Sequence, residues 1–295
     1  MGYDANPVAR SLRTGHTYVF GIFFRPVDAI PGSLGGTEYH IRLAGGAAAQ
    51  ALSLGYGLLH TPNPVAPGAY AYPMDGCVIV GPEGNDGVLT ALLARGIPVV
   101  CVEPDPDRPL LAPFVDRDDA AAMQRVLAHL KEEGAKSYGF LCVADDISWT
   151  RSTMAAFDGW LKSKDTVGDL YRLSGDLGSE GARQICSQLI AEGRLPDAIV
   201  CSTSRFAVGV AQAAKDAGLQ IPEDLMVTAL SDSELARSYR PQITALDLHG
   251  DKIGQAAIAM LADVVQGNVP TISPLVPPTL RLRASSNRKR AISQT

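Results

Sequence analysis

Short, β-rich apolar runs separated by single helix-length segments recur along almost the whole chain, and this alternation narrows the fold more than any other feature. Strands are read at Val19–Phe24, Tyr56–His60, Gly76–Val80, Pro98–Val102, Ser137–Val143, Asp169–Leu173, Ala198–Ser202 and Leu225–Leu230. Helices fall between them, at about Tyr39–Leu54 (broken by Gly45-Gly46), Asp86–Ala94, Asp118–Glu133, Thr150–Lys162, Ser179–Glu192 and Arg205–Ala217. A strand joined to the next by one helix is a βαβ unit, which requires a parallel sheet with right-handed crossovers. The strands are too many for one small sheet, and the run divides near Phe114-Val115-Asp116. The expected class is therefore α/β, with two doubly wound, Rossmann-like parallel sheets around a cleft. Ligands of such sheets bind outside the carboxyl ends of the strands. From Ile243 the pattern changes to a short strand, a helix over Asp251–Gln266 and a late strand at Thr279–Leu282, as expected of chain crossing back between halves.

Composition agrees with this size. At 295 residues, with 46% hydrophobic and 19% charged residues, the chain suits two ordinary domains with ample core. A net charge of −5 argues against a broad nucleic-acid surface. Arg281, Arg283, Arg288, Lys289 and Arg290 cluster near the end and are read as a solvated basic tail. The five cysteines (Cys77, Cys101, Cys142, Cys186, Cys201) form no C-x-x-C pair, and most lie in strand-like runs, where a cysteine is a small buried hydrophobe. Neither a metal nor a disulfide framework is expected. The polar start and short first apolar run give no secretory signal and no membrane span, so a cytoplasmic location is expected.

The first fifteen residues, MGYDANPVARSLRTG, read as a short helix: Asn6 caps it, Pro7 suits its first position and Gly15 stops it. Two turns are too few to be stable alone. One reading is a frayed terminal helix with chance basic residues. The other comes from N-P-V-A-R-S-L-R-T-G-x-T itself, which resembles the hinge-helix segment of LacI/GalR-family transcription regulators. Further stretches carry the resemblance along the chain: M-D-G-C-V-I-V at 74–80, F-V-D-R-D-D-A-A at 114–121, G-L-Q-I-P-E-D-L-M-V-T-A-L-S-D at 218–232 and P-P-T-L-R-L-R-A-S at 277–285. Arg117 stands where that family usually has asparagine.

The resemblance implies a periplasmic-binding-protein type I architecture, with a hinge segment at 1–16, an N-terminal subdomain at 17–115 plus 247–273, a C-terminal subdomain at 116–246 plus 274–286, and the tail at 287–295. It implies an effector-binding and dimerisation core, acting on operator DNA in the full-length protein as a homodimer. A helix-turn-helix headpiece precedes the hinge in that family. None is read ahead of Met1, and tight DNA binding by the chain as given is not expected. In the hinge, Asn6, Arg10, Leu12 and Arg13 would meet DNA, Leu12 as a minor-groove wedge and the arginines near phosphate.

No catalytic constellation is visible, and no enzyme, cofactor or metal is expected. His16, His40, His60, His129 and His249 have no catalytic neighbourhood and are read as surface or interface residues. Gly32–Gly36 and Gly45-Gly46 lack dinucleotide-binding spacing, and Asp145-Asp146 is read as a solvated loop in preference to a cation site. The effector candidates implied by the resemblance are Phe24, Arg25, Trp149, Arg151, Thr153, Thr203, Ser231 and Asp232. Phe24 and Trp149 can equally be core. Thr153 replaces the family's usual effector arginine, Thr203 and Ser204 replace an Asn-Asp pair, Ser231 replaces the first aspartate of F-D-D, and Leu248 replaces a frequent polar residue. Loss of these charged partners removes the clamp that suits a sugar's vicinal hydroxyls. The expected small-molecule effector, sugar-like by resemblance, becomes a less polar or unusual one, or the site has lost small-molecule control. A stand-alone solute-binding protein of the periplasmic type is the alternative, disfavoured by the hinge motif.

Overall fold

The computed structural model describes residues 15–25, 34–66, 72–268 and 272–288, and it divides into two units. The first comprises the described parts of residues 15–25, His40–Asp116 and Gly250–Val276, and the second comprises residues 34–39, Arg117–His249 and 277–288. The chain thus passes between units after Tyr39, Asp116, His249 and Val276, where the sequence suggested 115, 246 and 273 alone.

The first sheet contains β1 (Val19–Phe23), β2 (Gly57–His60), β3 (Gly76–Val80), β4 (Val99–Val102) and β5 (Phe114–Val115), in the order β2-β1-β3-β4-β5, all parallel. The helices α1 (Leu34–Ser53) and α2 (Gly87–Ala94) connect its strands. In the second unit follow α3 (Asp119–Glu132), β6 (Ser137–Val143), α4 (Ser148–Lys164), β7 (Val167–Leu173), α5 (Gly178–Ala191), β8 (Ala198–Cys201), α6 (Ser204–Asp216), β9 (Met226–Ala229), the short α7 (Glu234–Ser238) and β10 (Thr244–Asp247). Helix α8 (Gly250–Val265) belongs to the first unit and β11 (Thr279–Arg281) to the second. The second sheet has the order β11-β10-β9-β8-β6-β7, with β11 antiparallel to β10 and the rest parallel. Without β11, its strands repeat the first sheet's 2-1-3-4-5 order.

The central strands are buried on both faces, as helix-covered parallel sheets require. All five residues of β3 and all four of β4, β8 and β9 are buried. Alternation along β6 and β8 sends Leu141, Val143, Ile199 and Cys201 into one apolar cluster and Phe140, Cys142, Ala198 and Val200 into another. Local chemistry sets the helix starts: Asp86 accepts from the Leu89 N–H, Asp118 from Ala121 and Thr203 from Phe206. All five cysteines are buried and free. Burial pushes the Cys77, Cys142 and Cys186 thiols up to about 12, so none is a nucleophile near neutral pH.

Three expectations are corrected. Helix α1 runs unbroken through Gly45-Gly46 and starts at Leu34, ahead of the expected start at about Tyr39. Its glycines serve packing, because a Cβ on Gly46 would run into the Asp251 backbone. The basic group is no solvated tail where it is described. Arg281 pairs with Asp247 at 3.0 Å, Arg283 with Asp232 at 2.6 Å, and Arg288 donates to the Pro222 carbonyl at 2.8 Å. Lys289 and Arg290 lie outside the described residues. His129 is buried rather than at the surface, with its Nε2 2.8 Å from the Ser286 hydroxyl. The short α7 and the two-residue β5 were too brief to register as periodic.

One buried hydroxyl is a liability. Thr228 on β9 is 0% exposed and its Oγ1 has no hydrogen-bond partner. Thr228→Val keeps the shape and removes the orphan group, so it should raise unfolding free energy by about 1 kcal/mol in urea titrations.

Candidate functional site

In a sheet of order 2-1-3-4-5 the strand order reverses between the first and third strands, and the crevice outside their carboxyl ends is the ligand-binding position. In the first unit this point lies between β1 and β3. Phe24 and Arg25 follow β1 directly. Phe24 meets the His40 ring edge-on at 5.6 Å between centroids and stacks on His60 at 5.4 Å. Arg25 bridges the two strand ends: its Nε donates to the Gly81 carbonyl at 3.1 Å, and its guanidinium pairs with Asp86 and with Glu83 at 3.4 Å. The guanidinium is thus already neutralised by the protein.

Behind Arg25 stands a rigid loop. Asp86 is 2% exposed and caps α2, while its own N–H donates to Asp105 at 3.0 Å. Asp105 also accepts from the backbone of Asn85, Asp107 and Arg108 and from the Arg108 side chain. Burial alone would raise the Asp105 carboxyl, but these N–H donors and the Arg108 guanidinium outweigh it and hold the group below the usual carboxylate range. A carboxyl depressed in the folded state adds stability above its unfolded pKa of about 3.9, and that stability is lost as pH falls through the lower folded value. Asp105→Asn should therefore cost about 1–3 kcal/mol at pH 7. The gap to wild type should narrow as pH drops below about 4, measured by urea unfolding across pH.

In the second unit the reversal lies between β6 and β8. The Ser202 hydroxyl ties the two ends by accepting from the Val143 N–H at 3.1 Å. Trp149 and Arg151 stand in the first turn of α4 after β6, Thr203 and Ser204 at the start of α6 after β8, and Ser231 and Asp232 beyond β9. Trp149 is half-buried and packs against both apolar clusters. Arg151 grips Asp146 through Nε and NH2, both at 2.7 Å, which also draws the Asp146 carboxyl below its ordinary value. Thr153 is 2% exposed and returns its hydroxyl to the Trp149 carbonyl at 2.7 Å. Ser204 is fully buried against the Ser233 hydroxyl at 2.6 Å. Asp232 is clamped by Arg283 at 2.6 and 2.8 Å. Leu248 is buried in the core.

The strand ends thus gather the second unit's candidates, but their charges and most of their hydroxyls already have protein partners. A shallow cavity of about 510 Å³ lies beside α4 and β7, walled by Met154, Phe157, Leu161 and Leu170. Of the candidates only Arg151 lines it. Among the described residues no cluster of three His, Cys, Asp or Glu side chains could hold a metal ion, and no helix is long and apolar enough to cross a membrane. Asn6, Arg10, Leu12 and Arg13 lie outside the described residues.

Sequence reasoning missed Asp86 and Asp105, whose signal was present in N-D-G and P-D-P-D turn chemistry. It also missed Glu38 and Arg237, which no local pattern joins. Arg117, where the resemblance anticipates asparagine, is 2% exposed, pairs with Asp119 at 3.0 Å and donates to the Tyr39 hydroxyl at 2.9 Å.

Residues 127–286 match the model of the periplasmic binding protein-like domain. The HTH-type transcriptional repressor PurR of Glaesserella parasuis is 24% identical over 213 residues, which is 70% of this chain and 61% of that protein, so the chain spans about three fifths of this relative's length. Among solved structures, a probable maltose operon repressor MalR from Staphylococcus aureus superimposes with a TM-score of 0.80 at 17% identity, over 93% of this chain and all of that one. A transcriptional regulator CelR in complex with cellobiose gives 0.78 at 16% identity, over 94% and 89% of the two chains. The chain belongs to the periplasmic-binding-protein-like family, and its similarity to PurR and to the solved regulators supports a LacI/GalR-type effector-binding core.

Proposed function

We propose that this chain is the effector-binding and dimerisation region of a ligand-responsive bacterial transcription regulator acting in the cytoplasm. A small neutral molecule, sugar-like or less polar, is taken at the carboxyl ends of the parallel strands. Phe24 and Arg25 serve in the first unit, and Trp149, Arg151, Thr153, Thr203, Ser231 and Asp232 in the second. The observation that carries this reading is the gathering of the second unit's candidates at one strand-order reversal, in a chain whose family match covers residues 127–286. The match to a regulator solved with cellobiose supports a saccharide as the first probe.

The exposed, bidentate Arg151–Asp146 pair can reopen toward ligand hydroxyls, and Trp149 offers an aromatic face to the apolar side of a ring. Thr153 contributes through the turn it stabilises, its hydroxyl being occupied. Binding changes the regulator only through unequal affinity for two states. In the full-length homodimer that difference sets whether Asn6, Arg10, Leu12 and Arg13 can engage operator DNA.

Thermal unfolding with a panel of mono- and disaccharides, cellobiose included, tests the reading. At a hundredfold excess over Kd, a true effector should raise Tm by roughly 5–10 °C. Trp149→Ala should abolish the shift. Sedimentation should give a dimer at micromolar concentration. A monomer that no member of the panel stabilises would sink the proposal, and tight binding of a simple monosaccharide would refute the less polar variant of it.

A further inference from the structure

One cluster of the second unit joins residues remote in sequence to the effector candidates. Glu38, from the start of α1, accepts from the Arg237 guanidinium at 2.9 and 3.0 Å and from the Glu234 backbone N–H at 2.6 Å. The latter contact is a helix cap supplied from outside. Ser233 precedes α7 but gives it no side-chain bond, because its hydroxyl is held by Ser204. A carboxylate 196 residues away in sequence satisfies the N–H instead. Arg237 also lies 3.6 Å from Asp232 and 3.3 Å from Glu234, so one guanidinium is shared among three carboxylates. The neighbouring Tyr39 is held independently, its hydroxyl accepting from Arg117 and its ring lying 5.4 Å beneath that guanidinium.

These contacts converge on one turn of helix. Beyond Tyr39, α1 continues without interruption into His40–Ser53, which is counted with the first unit. Whatever fixes Glu38 and Tyr39 therefore fixes the start of a 20-residue helix. A group shared among several acceptors couples them: drawing one carboxylate away alters the hold on the others.

We infer that Glu38 is a positioning residue that ties the start of α1 to Asp232, with Arg237 as the relay, so that an effector engaging Asp232 loosens the first turns of α1. The regulatory sense rests on the proposed role of Asp232 as an effector contact; the coupling itself rests on the geometry above. A ligand donor placed on Asp232 takes up the charge that steadies Arg237 from one side. Arg237 then holds Glu38 less firmly, and the cap on α7 weakens with it. The change in Asp232 thereby reaches a helix that contributes residues to both units.

Amide hydrogen exchange of the whole chain, followed by mass spectrometry, tests this without knowledge of the effector. Asp232→Asn serves as the probe for a neutralised Asp232. Amides at positions 42–45 report the start of α1, because helical hydrogen bonds run from each N–H to the carbonyl four residues earlier. They should exchange at least tenfold faster in Asp232→Asn, Glu38→Gln and Arg237→Met, with β6 and β8 unchanged. The Glu38→Gln/Arg237→Met double variant should be no faster than its faster single, and Arg237→Lys should restore part of the protection. Faster exchange in Glu38→Gln with none in Asp232→Asn, or a double variant equal to the product of the singles, would overturn the relay. Should Asp232→Asn loosen β6 and β8 as well, Arg237→Met decides, since that side chain is 37% exposed against 9% for Asp232: faster exchange confined to α1 supports the relay and unchanged exchange overturns it. Failure to find any stabilising saccharide would count against the proposed function and leave this exchange pattern intact.

Discussion

Gly254→Val is expected to unfold the first unit, lowering stability by about 3 kcal/mol or more, while Gly45→Ala on the facing helix is expected to be harmless or mildly stabilising. A Cβ built on Gly254 would lie 2.7 Å from the Ala47 nitrogen and closer still to the Leu43 carbonyl oxygen. The crossing is reciprocal, since a Cβ on Gly46 would lie 2.7 Å from the Asp251 carbonyl carbon and closer to its oxygen. These are backbone atoms, so no rotamer change relieves the clash, and α8 would have to move away from α1. Leu43 and Ala47 are fully buried at that contact, so separating the helices opens the core of the unit as well. Gly45, one residue away, has nothing within 4 Å of its Cβ position, and alanine there adds helix propensity alone. Thermal unfolding of both variants checks the pair. Equal Tm values for Gly254→Val and wild type would show that the two helices do not meet as closely as described.

The same glycines show where reading the sequence runs out. Gly45-Gly46 looked like a helix break because propensity is local, whereas the approach of Asp251, two hundred residues later, is not. The parallel sheets were legible because Val, Ile and Cys, with one Gly and one Ala, fill β3, β4 and β8 without alternation, the pattern of strands covered on both faces. The burial of Cys77, Cys101 and Cys201 followed from the same runs. The carboxyl-end candidates at Phe24, Trp149 and Thr203 could be placed once strand ends were known. What those side chains do with their hydrogen bonds could not. Thr153 turns its hydroxyl back to its own helix, Arg25 is absorbed by Asp86, and Asp232 by Arg283, each a partner fixed by tertiary structure. Arg283 shows this most plainly. In sequence it belongs to a run of basic residues near the end, and in the fold it is a half-buried ion-pair partner with its NH1 on the Ile243 carbonyl at 2.7 Å.

That pair carries the second large effect expected. Asp232→Ala should cost about 3–5 kcal/mol in urea unfolding, because it strands a guanidinium that the fold has largely withdrawn from water. The Asp232 and Arg283 side chains are 9% and 13% exposed, and the contact is bidentate at 2.6 and 2.8 Å. The aspartate has two further duties: its Oδ1 accepts from the Ser233 N–H at 2.9 Å, and its charge lies 3.6 Å from Arg237. Surface ion pairs contribute little because water competes for both partners. Here the cost comes from leaving one partner buried without the other, not from any large intrinsic gain in forming the pair. The Asp232→Ala/Arg283→Met double variant should therefore be less damaging than the sum of its singles, by about 1.5–3 kcal/mol of coupling. Additive losses would mean that the two side chains hold the closing strand independently. Coupling on the expected scale would make Asp232 an anchor for β10, β11 and the Glu38 cluster together, so that a ligand drawing on this carboxylate acts on structure well beyond its own contact.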